Sequence, residues 1–115
     1  IAPRPHNSGH QSIEGNYTSQ FMQHIRAILG ISLGNTEIMK PSVMVNLLGE
    51  DGFTGEAQYE GLEDVLALKG VNVHLYGKRF TKPFRKMGHV TVIAETLEEA
   101  KTTAKKVQQT LKVKA

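Results

Sequence analysis

Val71-Asn72-Val73-His74-Leu75-Tyr76 and Met87-Gly88-His89-Val90-Thr91-Val92-Ile93-Ala94 are the two runs whose pairing decides the fold. The first alternates at period two and puts its valines and Leu75 on one side, the pattern of a half-buried strand. The second is rich in β-branched residues. A basic connection over residues 77–86 joins them, so they are expected to pair as neighbouring strands of an antiparallel sheet. Directly downstream, Thr96-Leu97-Glu98-Glu99 has the spacing of a capping box, with Thr followed three residues later by Glu. It opens a helix reaching about Leu111, with Ala100, Ala104, Val107 and Leu111 on the buried side.

Working back from that core, Glu60 to Lys69 reads as a short helix stopped by Gly70, with Leu62, Val65, Leu66 and Leu68 facing inward. Ser42-Val43-Met44-Val45-Asn46-Leu47-Leu48 reads as a strand, and Gly49-Glu50-Asp51-Gly52 ends it. Residues 31–40 form a connection. A helix is expected over about residues 18–29, capped from Thr18-Ser19-Gln20, with Phe21, Met22, Ile25, Ile28 and Leu29 as core material and His24 and Arg26 on its other sides. The order helix, strand, helix, strand, strand, helix gives an α+β fold with a small antiparallel sheet and flanking helices. No internal repeat or low-complexity segment interrupts it.

At 115 residues with 39% hydrophobic residues, the chain has material for one ordinary core. No apolar run approaches the roughly 18–20 residues needed to cross a bilayer. The absence of cysteine excludes disulfides, thiolate metal sites and cysteine nucleophiles, and it suits a cytoplasmic location. The net charge is only +3, but Lys78, Arg79, Lys82, Arg85 and Lys86 crowd into nine residues that contain no acid. Lys101, Lys105, Lys106, Lys112 and Lys114 are spread along the last helix and its tail, and read as a solvated face.

The opening stretch, Ile1-Ala2-Pro3-Arg4-Pro5-His6-Asn7-Ser8-Gly9-His10, is the other concentration of chemistry. Two prolines exclude a helix over these ten residues and favour extended backbone, on which Arg4 and His6 share a face. Asn7-Ser8-Gly9 then makes a turn whose glycine permits close backbone approach. Guanidinium, imidazole, amide and hydroxyl together suit an anion; the same composition also describes a plain surface turn. The basic connection has three readings: a phosphate site, since Arg presents a planar fork and Lys a mobile point charge; a solubilising hairpin; or a nucleic-acid contact in which Phe80 and Phe84 stack on bases. His6 and His10 stand four apart, but Gly9 and the prolines remove the helix that would make them zinc ligands. No Asp is placed to turn Ser8 into a hydrolase nucleophile. His74 and His89 read as structural, and Glu98 and Glu99 as capping residues.

Four ordered segments together resemble the C-terminal part of the 5-(carboxyamino)imidazole ribonucleotide synthase family, within the ATP-grasp superfamily. They are Ala2-Pro3-Arg4-Pro5-His6-Asn7-Ser8-Gly9-His10; Thr18-Ser19-Gln20-Phe21 with Gln23-His24-Ile25-Arg26-Ala27; His74-Leu75-Tyr76-Gly77-Lys78; and Arg85-Lys86-Met87-Gly88-His89-Val90-Thr91. The resemblance covers essentially the whole chain. Met22 departs from it, standing on the helix surface where the family usually has an acid.

The resemblance implies a ligase of purine biosynthesis that spends ATP to activate bicarbonate, as carboxyphosphate, and carboxylates aminoimidazole ribonucleotide. It implies that Arg4 and His6 face the reactive carboxyphosphate, that Asn7 and Ser8 add donors, and that Lys78, Arg85 and Lys86 hold the ribotide 5′-phosphate. It further implies a dimeric parent enzyme, with residues 1–40 ending the ATP-grasp domain and residues 41–115 forming a C-terminal α+β subdomain. The chain starts at Ile1 directly in a functional motif, so it is expected to be the C-terminal piece of something longer. The ligands of ATP and Mg²⁺ are then expected upstream, with no metal site here and no activity from this piece alone. Neither membrane nor nucleic acid is an expected partner on this reading; a nucleic-acid-binding module using loop 78–86 is the alternative.

Overall fold

A computed structural model describes residues 1–115. In chain order it holds helices α1 (Ser12–Gly15), α2 (Gln20–Ile28), α3 (Leu62–Leu66) and α4 (Leu97–Thr110), and strands β1 (Ser42–Leu48), β2 (Gly55–Glu56), β3 (Gln58–Glu60), β4 (Val71–Leu75), β5 (Phe80–Thr81), β6 (Lys86–Ile93) and β7 (Lys112–Lys114). The fold is α+β with small antiparallel sheets. The main sheet has the order β1-β6-β4, antiparallel throughout. The two strands deduced from 71–76 and 87–94 do pair, and β1 lies on the other edge of β6. Two short ladders, β2 with β5 and β3 with β7, flank it. Strands of two or three residues carry no readable periodicity, which is why the sequence did not announce them.

Register separates the sheet's two faces. Val45, Val90 and Val73 lie abreast, as do Val43, Val92 and Val71, so the valines share one face. Against that face lies α4, whose Thr96 hydroxyl accepts the Glu99 N–H while Glu99 Oε2 accepts the Thr96 N–H: the expected capping box. Ala100, Ala104, Val107 and Leu111 are buried as expected, and with Val45, Leu47, Val65, Met87, Val90, Val92 and Val113 they make the core. Each fully buried valine there contributes on the order of 1.5–3 kcal/mol.

Two expectations about burial require correction. In α2, Phe21, Met22, Ile25, Ile28 and Leu29 are not core: they are 39% to 70% exposed, and the helix buries no residue. The apolar spacing and the Ser19 cap do produce a helix, but no layer of this chain covers its stripe. Leu66 and Leu75 are exposed rather than inward-facing. The opening segment is as expected, with His6 extended and Asn7–Gly9 closing a single 3₁₀ turn; α1, which follows it, was not anticipated from the sequence.

Residues 31–40 are a connection, as expected, tied back onto α2. Gln23 exchanges two hydrogen bonds with the Gly34 backbone, and Arg26 donates to the Ser32 carbonyl. The radius of gyration is 15.3 Å, against about 13 Å for a compact domain of this length. The excess reflects the first 40 residues, none of which belongs to the hydrophobic core.

Candidate anion-binding site

The second face of the β1-β6-β4 sheet is polar. Asn46, His89 and His74 lie abreast across the three strands, with Met44, Thr91 and Asn72 in the next row. A sheet this small can leave such a face to water, yet His89 and Thr91 are 3% and 0% exposed. The cover is the opening segment.

His6 is extended (φ −141°, ψ 155°) and caps the 3₁₀ turn, its Nδ1 accepting the Ser8 N–H at 3.3 Å. Its backbone is held at both ends by one side chain: the His6 N–H donates to Gln20 Oε1 at 3.1 Å, and Gln20 Nε2 donates to the His6 carbonyl at 2.7 Å. Gly9 makes room for this, since a Cβ there would meet Gln20 Oε1 at 2.5 Å. Gln20 is itself anchored, its N–H donating to Ser12 Oγ, which donates to the Gly9 carbonyl.

Asn7 reaches down to the sheet, donating to Asn46 Oδ1 at 2.5 Å. Its side chain also lies beside the Tyr76 hydroxyl; burial raises the Tyr76 phenol, and the neighbouring Asn7 amide works against that push. The Tyr76 hydroxyl and His89 Nδ1 share a hydrogen bond at 3.0 Å. Beneath the turn the imidazoles of His10, His89 and His74 form a column, with centroids 4.7 Å and 4.4 Å apart; the His89 and His74 rings are nearly parallel. His74 Nε2 donates to Glu14 Oε1 at 2.5 Å. Burial, then the rings of His74 and His10, push His89 down to about 4. Burial also lowers His10, with His6, Lys86 and His74 adding to it.

Lys86 opens β6 three residues before His89, whose ring lies against that of His10, and its charge is among those that lower His10. Lys78 Nζ donates to the Lys86 carbonyl at 2.5 Å, which brings these two lysines together where β4 ends and β6 begins. Through Asn7 and Asn46 the opening turn carries His6, Asn7 and Ser8 over the polar face of the sheet. Arg85 turns its guanidinium to the Phe80 carbonyl at 3.0 Å, and the only hydrogen bond of Arg4 goes to the neighbouring Pro5 carbonyl; no contact brings either to the others. Gln20, Asn46 and Tyr76, which build the site, escaped the sequence reading. A signal existed for Asn46, a polar residue inside an apolar strand; none marked Gln20. No group of three or more His, Asp or Glu side chains is arranged to hold a metal ion, and no helix is long and apolar enough to cross a membrane.

Comparison with known proteins agrees with this architecture. Residues 42–103 match the family model described as phosphoribosylaminoimidazole carboxylase C-terminal domain. The N5-carboxyaminoimidazole ribonucleotide synthase of Bacillus subtilis (strain 168) is 46% identical over 99 residues, which is 86% of this chain and 24% of that protein. The crystal structure of the Thermotoga maritima synthetase superposes on 99% of this chain and 32% of its own, with TM-score 0.96 and 54% identity. An Aspergillus clavatus synthase structure, in complex with ADP and 5-aminoimidazole ribonucleotide, superposes on 92% of this chain and 28% of its own, with TM-score 0.78 and 41% identity. The chain thus spans about a quarter to a third of the length of these relatives. The family match over most of the sheet and α4, and the agreement in fold along nearly the whole length, place this chain in the phosphoribosylaminoimidazole carboxylase C-terminal domain family.

Proposed function

We propose that the chain supplies half of the ribotide site of an ATP-dependent ligase that carboxylates 5-aminoimidazole ribonucleotide with bicarbonate in purine biosynthesis. The observation that carries the reading is the seating of the opening turn over the polar face of the sheet through Asn7 and Asn46, with Lys86 opening the central strand of that sheet and Lys78 bonded to the Lys86 carbonyl. In this reading Arg4 and His6 face the carboxyphosphate and stabilise negative charge as it develops. Asn7 and Ser8 donate to substrate oxygens. Lys78, Arg85 and Lys86 hold the 5′-phosphate, Lys86 foremost because it opens β6 beside the turn. Lys78 is already fixed on a carbonyl and retains further N–H donors for an anion, so binding orders it at little extra cost in entropy.

The relatives' ADP and ATP complexes support ATP as co-substrate. The residues present do not form a set that holds Mg²⁺; ATP and Mg²⁺ are assigned to the remainder of a longer protein. On the same reading residues 1–40 end the ATP-grasp domain and residues 41–115 form the C-terminal subdomain, a division supported by the family match beginning at residue 42. The parent is a cytoplasmic homodimer, and the exposed stripe of α2 packs against its other parts. Nucleic acid is the second reading, favoured by the 52% and 71% exposure of Phe80 and Phe84 beside the basic residues.

The test is an NMR titration of the chain with 5-aminoimidazole ribonucleotide at low and moderate salt. Saturable shifts at His6–Ser8, Lys78 and Lys86 are expected. Silence with the ribotide, together with salt-sensitive broadening over residues 78–86 on adding an oligonucleotide, would transfer the assignment to the second reading. No ATP hydrolysis dependent on bicarbonate or ribotide is expected from these 115 residues alone.

A further inference from the structure

The column of imidazoles beneath the turn touches none of the groups assigned to substrate, yet hydrogen-bond direction ties it to them. Gln20 Oε1 accepts the His6 N–H, so the amide group facing His10 Nδ1 at 2.6 Å is the NH₂ of Gln20. Its two hydrogens go to the His6 carbonyl and to His10, and both donors of the side chain are spent. His10 Nδ1 must then carry a lone pair. A proton there would set donor against donor, and the bracket around His6 would lose one of its supports.

His89 is tied to the same seat by packing: its ring lies 4.7 Å from that of His10, and its Nδ1 shares a 3.0 Å hydrogen bond with the Tyr76 hydroxyl, beside which the Asn7 side chain lies. A proton on His89 would place a charge directly against the His10 ring. His89 Nε2 is buried without any partner, a cost that a residue kept only for packing would not need to bear.

We propose that His10 and His89 are positioning residues whose unprotonated rings seat the opening turn, His10 through Gln20 and His89 through Tyr76 and Asn7, so that proton uptake by the column releases His6–Ser8. The groups facing the two rings come from every neighbouring element. They are His74 from β4 and Tyr76 just beyond its end, Asn46 from β1, Lys86 and Thr91 from β6 itself, Glu14 from α1, His6 from the opening segment and Phe21 from α2. Glu14 is the one acid among them, and it is bonded to His74 rather than to either positioning ring. The other charged neighbours are cations or potential cations, and they oppose proton uptake as burial does. The column therefore holds the turn in place at neutral pH and lets go on acidification. Its effect on ligand binding rests on the ribotide reading above; the seating of the turn does not.

Ring ¹⁵N spectra of the ligand-free chain between pH 8 and pH 4 test this directly. Both rings are expected uncharged at pH 7, His10 as the Nε2–H tautomer, and the amide signals of His6–Gly9 and Gln20 are expected to move in step with the ring transitions while those of α4 stay still. A charged ring at pH 7, an Nδ1–H tautomer at His10, or a turn whose amides ignore the ring transitions would each overturn the proposal.

Tyr76→Phe removes one bond without emptying the core. It is expected to shift the His6–Gly9 amides and to weaken ribotide binding by roughly three- to tenfold, with His89→Gln, which keeps an acceptor for Tyr76, restoring most of the native turn signals relative to His89→Leu. Unmoved turn amides in Tyr76→Phe also refute it. Should the ribotide fail to bind while rings and turn behave as described, the ligand reading falls and the seat stands.

Discussion

Residues 42–114 and residues 16–40 are built from comparable apolar material and end differently. In the first region α4 buries Ala100, Ala104 and Val107 against a valine-lined sheet. In the second, α2 has an apolar stripe at equally good spacing and buries none of it. Periodicity reports that a helix has two faces; it does not report whether anything packs on the apolar one. An isolated helix of nine residues is marginal in water, and α2 is held instead by polar contacts: the Ser19 cap, the Gln23 bonds to Gly34 and the Gln20 bracket.

The sharpest way to break this comparison is to truncate one large apolar side chain in each region. Met87 is fully buried and Ile28 is 70% exposed. Met87→Ala is expected to cost about 2–5 kcal/mol in urea denaturation, through lost burial and a cavity, whereas Ile28→Ala stays within about 0.5 kcal/mol. Equal losses would mean that the stripe of α2 is covered in solution.

The next effect separates the sheet's two faces. His89 folds with its ring pushed down to about 4 by burial and by the rings of His74 and His10, while in the unfolded chain it titrates near 6.5. Between those values the unfolded state binds more protons, so stability is full above pH 6.5, falls as the pH drops toward 4, and levels off below. The integrated loss is on the order of 3 kcal/mol. Denaturation midpoints of the native chain and His89→Gln, measured from pH 7.5 to 4, check it: the variant should lose markedly less, and parallel curves would show that His89 does not titrate as a buried base.

The smallest effect compares the two caps. Thr96 and Ser19 each accept a backbone N–H at 3.2 Å. Thr96→Ala is expected to lower global stability by about 1 kcal/mol because α4 belongs to the core. Ser19→Ala should leave the global midpoint nearly unchanged and instead speed amide exchange over residues 20–24, since α2 can fray without disturbing the sheet. A global loss from Ser19→Ala would show that α2 is coupled to the core more tightly than its exposure suggests.

Local interactions were legible in the chain itself. The capping box at Thr96, the period-two run at 71–76, the turn at Asn7-Ser8-Gly9 and the crowding of Lys78 and Lys86 around one hairpin depend on neighbours in sequence, where spacing alone sets geometry. Burial of α4 and exposure of α2 were not separable, because both present the same periodicity and differ only in what lies opposite. The site was half legible for the same reason. The candidates His6, Asn7, Ser8, Lys78 and Lys86 could be named, but Gln20 reaching back to His6, and His10 coming to rest on His89, which stacks in turn on His74, required the cross-strand register and the fold of the opening segment over the sheet. Contacts between residues 10, 74 and 89 have no local cause; they exist because three strands and a turn bury a polar face together, and only the tertiary structure brings those four elements into one place.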